Sequence, residues 1–112
     1  MVFQIKPGVS IKDVRPETVL GMMIAGHVLL DHGVPFVLTS VTDGIHSAGS
    51  LHYSGLAFDF RLPSRYAGEM HGIDRRIRDE LADVLGEEWD VVLEKDHLHI
   101  EFDPKITATK EA

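Results

Sequence analysis

The densest apolar stretch runs from Arg15 to His32, where Val19, Leu20, Met22, Met23, Ile24, Val28, Leu29 and Leu30 leave almost no polar side. That pattern predicts a helix buried nearly all round. Pro16 suits its first position, Glu17 its positive end and Gly33 its close, and Pro35 bars any continuation. Phe36 to Ser40 reads as a short buried strand. The stretch from Thr42 to Gly55 is rich in Gly, Ser, Asp and His and reads as a loop. Leu56 to Leu62 then alternates, with Leu56, Phe58, Phe60 and Leu62 on one face and Ala57, Asp59 and Arg61 on the other.

A second helix is predicted from about Met70 to Leu85, with Ile73, Ile77, Leu81, Val84 and Leu85 as its stripe and Gly86 as its cap. Its basic run is matched by acids four residues away: Asp74 with Arg78, Arg75 with Asp79 and Arg76 with Glu80. This predicts a salt-bridged, solvated face rather than a nucleic-acid surface. Trp89–Leu93 and His97–Phe102 read as two strands of a hairpin turning at Glu94, Lys95 and Asp96. Leu98, Ile100 and Phe102 share one face; His97, His99 and Glu101 share the other. From Pro104 the tail is polar.

The order helix, strand, strand, helix, strand, strand predicts an α+β fold: a small, mostly antiparallel sheet packed on two helices. At 112 residues the chain has room for one domain, 1–112. Eighteen acidic residues against eleven basic ones give a net charge of −7, which argues against nucleic acid and anionic membrane as partners. With no cysteine, disulfide scaffolds and thiolate metal sites are excluded, so a metal would need histidine and carboxylate. The seven histidines make such a site worth seeking. The first residues lack the basic start and apolar run of a signal peptide, and Gly21–Leu30 is too short to span a bilayer.

Two segments concentrate chemistry: Ser50 to Asp59, and Asp96-His97-Leu98-His99. Alternation places Asp59 and His99 on the polar faces of their strands, where ionisable groups are costly unless paired or coordinated. His52 precedes Asp59 by seven residues, about 10.5 Å along a continuous helix. One ion with bonds of about 2 Å cannot bridge that distance, so His52 is expected in a loop that bends back at Gly55. His52, Asp59 and His99, with water in a fourth position, make the ligand set of a catalytic zinc site, although such ligands suit other divalent ions too. Asp96, at the start of the last strand, is placed to take a proton from the attacking water; Glu94 is the rival base. His97 could donate a hydrogen bond to the oxyanion.

The pattern Ser-x-His-x-x-Gly-x-Ala-x-Asp over Ser50–Asp59, followed by Asp-x-x-His with His-x-His at Asp96–His99, resembles the zinc D-alanyl-D-alanine metallopeptidase family. That family includes D-Ala-D-Ala carboxypeptidases and dipeptidases and phage L-alanyl-D-glutamate endolysins, with the hedgehog domain as a structural relative. The resemblance implies a hedgehog-like fold and a zinc peptidase hydrolysing peptidoglycan stem peptides. His52, Asp59 and His99 would bind zinc, Asp96 would act as acid and base, and His97 would support the transition state. Ser50 would lie at the substrate end of the site. Such a chain, without an export signal, would accumulate in the cytoplasm and act on the cell wall after release or delivery.

One departure stands out. The family often carries an arginine shortly after a Thr-Ser-Gly-Tyr-like segment, whereas Thr39-Ser40-Val41-Thr42-Asp43-Gly44 has none. His46 and Arg61 are the candidates to replace it. Without it, the alternative is a zinc-stabilised binding module of the same fold that does not turn over substrate. The remaining residues have plainer readings: His27 as a packed core histidine, His32 as a cation at a helix C-terminus, Met22 and Met23 as core filler, and Trp89 at the core edge.

Overall fold

The computed structural model describes residues 3–43, 54–67 and 72–104. Its elements are β1 (Phe3–Ile5), α1 (Pro16–Asp31), β2 (Phe36–Ser40), β3 (Ala57–Arg61), α2 (Ser64–Ala67), α3 (Ile73–Leu85), β4 (Trp89–Leu93) and β5 (His97–Phe102). The five strands form one sheet in the order β1-β2-β3-β5-β4. The β1–β2 pair is parallel, and the β2–β3, β3–β5 and β4–β5 pairs are antiparallel. The fold is therefore α+β, as the pattern predicts. β1 and α2 are additions to the predicted order, and β1 makes the sheet mixed.

Alternation builds the core. Phe58 and Phe60 of β3, Leu98 and Ile100 of β5, and Phe36 and Leu38 of β2 are all buried in one cluster. The three phenylalanine rings pack together at centroid distances of 5.1–6.3 Å, edge-on between Phe36 and Phe58, tilted between Phe36 and Phe60, and stacked between Phe58 and Phe60. Met22, Ala25, Val28 and Leu29 of α1 and Ile73, Ile77 and Leu81 of α3 join the same cluster. α1 lies against β2, β3, β5 and α3, and α3 lies against β4. The helices thus cover the apolar side of the sheet and leave His97, His99 and Glu101 on the opposite side. Among the described residues no helix is long and apolar enough to cross a membrane.

Pro16 occupies the start of α1, and Arg15, the capping residue, makes no side-chain cap. The end is tied elsewhere: the Arg15 backbone N–H and the buried Thr18 hydroxyl both donate to the Gly55 carbonyl, at 3.0 and 2.7 Å. Gly55 has a φ of +73°, and a Cβ there would meet the Asp13 carbonyl oxygen, so only glycine fits this seam. It lies just before β3 and so fixes where that strand enters the sheet.

Several expectations for the helices are corrected. α1 is not buried all round: Val19, Leu20, Met23 and Leu30 are exposed, Met23 to 56%. A single sheet covers only one side of a helix, so an apolar composition does not by itself create a second covering layer. His27 lies on the uncovered side and is exposed, not packed in the core. Met22 is core filler as expected; Met23 is not. His32 caps the helix, and its Nε2 lies 2.8 Å from Glu80 of α3, so its partner is a side chain as well as a helix end. The acids of α3 are likewise engaged off the predicted ladder. Asp74 accepts from the Ser64 N–H and hydroxyl, and Arg78 pairs with adjacent Asp79. Trp89 is half-buried at the core edge, as expected, and its ring lies over Gly21, where a Cβ would stand only 2.5 Å away.

Candidate functional site

The antiparallel pairing of β3 with β5 sets Asp59 directly opposite His99 and Arg61 opposite His97. Both pairs lie on the side of the sheet away from the helices. Asp59 is 8% exposed, a depth at which a carboxylate needs a strong partner. It has one: its Oδ1 accepts from His99 Nδ1 at 2.8 Å. Its Oδ2 lies 3.6 Å from His97 Nε2. His99 Nε2 donates to Glu101 Oε1 at 2.7 Å, and His97 Nδ1 to Asp96 Oδ1 at 2.7 Å. The result is an alternating chain of carboxylate and imidazole: Asp96, His97, Asp59, His99, Glu101.

Electrostatics follow the geometry. Burial of His99 alone would push its pKa down, but the bonds to Asp59 and Glu101 and their charges outweigh it, raising the pKa to about 9. In the metal-free state the ring is therefore a cation between two anions. The hydrogen bond from His97, reinforced by its charge, holds the Asp96 carboxyl below the usual range. Asp96 itself is 83% exposed, open to solvent just before β5. It lines an open cavity together with His97, and Glu94 does not.

Ser50, His52 and His46 lie outside the described residues. Of the expected metal ligands, Asp59 and His99 are brought together as the alternation predicts. Their donor types suit a divalent ion without singling out zinc: an oxygen and an imidazole nitrogen face each other, and Glu101 holds the far nitrogen of His99. A carboxylate on the far nitrogen is the usual support of a metal-binding histidine, because it fixes the tautomer and orients the ring. Sequence reasoning left Glu101 without a role. The signal was its position two residues beyond His99 on the same strand face.

Glu101 also belongs to a second group. With Asp90 and Asp103 it forms an acidic cluster in which one oxygen from each carboxylate lies within 4.8 Å of the others, a set that could hold a cation but has no preference for zinc. Asp90 stands opposite Glu101 in the β4–β5 ladder.

Of the two candidates to replace the absent arginine, Arg61 lines the cavity beside Asp96 and His97, and its Nη1 donates to the Tyr66 hydroxyl at 3.1 Å. No family model matches this chain, and neither a curated protein nor a solved structure was found to match it.

Proposed function

We propose that the chain is a zinc-dependent peptidase that hydrolyses peptidoglycan stem peptides, as a D-Ala-D-Ala carboxypeptidase or an L-Ala-D-Glu endopeptidase of the endolysin type. The observation that carries this reading is the Asp59–His99 pair, facing across β3 and β5 next to Asp96 and His97. With His52, these two residues would hold the metal. Bound zinc supplies Lewis acidity toward the scissile carbonyl and makes water more acidic. Asp96 takes the proton of the attacking water and passes it to the leaving amine; its depressed pKa keeps it ionised between turnovers. With Nδ1 bonded to Asp96, His97 can donate from Nε2 to the oxyanion only as the imidazolium. Glu101 keeps His99 in the tautomer that presents Nδ1 on the Asp59 side.

The test is mass spectrometry of muropeptides incubated with zinc-loaded protein, beside an Asp96→Ala variant. New fragments from the wild type alone are expected, and their masses name the bond. Intact muropeptides from a sample carrying bound zinc would overturn the peptidase and favour a zinc-stabilised binding module.

A further inference from the structure

One step along the strands from Asp59 and His99, the same side of the sheet changes character. Lys6, just beyond β1, donates its backbone N–H to Leu38 of β2; Arg61 of β3 stands opposite His97 of β5. Thr39 of β2 lies beside the Ser40–Asp59 pairing. With Arg65 of α2 and Asp96, all four of Lys6, Thr39, Arg61 and His97 line the same open cavity of about 200 Å³.

Three of these six residues are cations, in a chain whose net charge is −7. Among the described residues none of the three pairs with a carboxylate. Arg61 donates to Tyr66, and among the described residues the side chains of Lys6 and Arg65 have no hydrogen-bond or ion-pair partner. Three like charges converging on one cavity repel each other until an anion joins them, and guanidinium groups suit a carboxylate in particular. Asp96 in the wall disfavours a dianion such as phosphate.

We propose that this cavity is a carboxylate subsite, so that the substrate is a peptide carrying a carboxylate about two residues from the bond cleaved. The spacing comes from the sheet. Same-face positions on a strand are about 6.6 Å apart, and an extended peptide advances about 3.3–3.6 Å per residue. This subsite rests on the peptidase reading for its relation to the cleaved bond, but not for its affinity for the anion. The carboxylate comes either from the peptide's C-terminus or from an acidic side chain.

The experiment uses the zinc-loaded full chain with one stem peptide in three forms: free acid, C-terminal amide and side-chain amide. Amidation of the engaged carboxylate is expected to raise KM about tenfold or more with little change in kcat, and the form affected names the source. Lys6→Gln and Arg65→Gln, both at exposed positions, should raise KM for the acid and leave the amide unaffected. Arg65→Lys should recover part of the loss. Equal KM for all three forms, or variants that weaken acid and amide alike, would overturn the subsite while leaving the peptidase intact.

Amide-resolved NMR titration with N-acetyl-D-alanine and its amide provides the independent arm. If no peptide is cleaved, shifts at Arg61 and Arg65 produced by the acid, lost in Arg65→Gln and absent with the amide, keep the subsite and remove the peptidase. No such shifts would remove both.

Discussion

On the helix side of β5, Leu98 and Ile100 are fully buried; on the other side, His97, His99 and Glu101 are half-buried and tied to Asp96 and Asp59. The same six residues of backbone carry both. On the apolar side, stability comes from area removed from water and from close packing, and any well-shaped hydrophobe contributes. On the polar side each group is tolerable only because its neighbour has the opposite charge, so removing one leaves another exposed to the full cost of burial. The apolar side is an assembly of nearly independent parts. The polar side is a chain in which each link depends on the next.

The largest effect should come from the apolar side. Phe60→Ala empties a site between Phe36 and Phe58 and should destabilise the protein by about 3–5 kcal/mol, read from urea unfolding. Next is the pH response of the polar side in the metal-free protein. His99 has a folded pKa of about 9 against an ordinary 6.5, so its contribution is fully present below about pH 6.5 and fades as pH rises through 9. Thermal melts over that range should therefore show falling stability, and Asp59→Asn should flatten the slope. A slope unchanged by that substitution would break the idea of a linked chain.

Glu101→Gln should weaken zinc binding about 10–100-fold, measured by competition with a chelating dye. Unchanged affinity would mean that the ring is oriented without it. Smallest of all is α1's uncovered side, where Met23→Gln should shift stability by no more than about 0.5 kcal/mol. Met22→Ala, one residue away, should cost about 2–5 kcal/mol.

How much of this was legible beforehand depended on period and length. β2, β4 and β5 fall at their predicted bounds, and α3 buries Ile73, Ile77 and Leu81 of its predicted stripe with Leu85 partly covered, because both periods are clear there. Val84, also expected in the stripe, is exposed where the helix runs past the core. β1 has three residues and α2 has four, too few to show any period. α1 misled because its composition hid its phase: Met22, Ala25 and Leu29 face the core while Leu20, Met23 and His27 do not, and His27 was the polar marker of the open side. In the site, alternation predicts that Asp59 and His99 share a face, and the register makes them direct partners. Period alone could not show the convergence of Lys6 and Arg65 on Arg61, since that depends on where β1 and α2 lie.

Trp89 is the chain's one tryptophan, and its ring rests on α1 at Gly21. Its fluorescence therefore reports the packing at the sheet's β4 edge, where the ring meets α1 at Gly21 and Phe102 of β5. Emission should shift to the red when that helix lifts and stay constant when an ion or peptide occupies the opposite side. The molecule carries an optical gauge of its scaffold that is blind to its chemistry, so loss of activity with unchanged emission would locate the fault in the site.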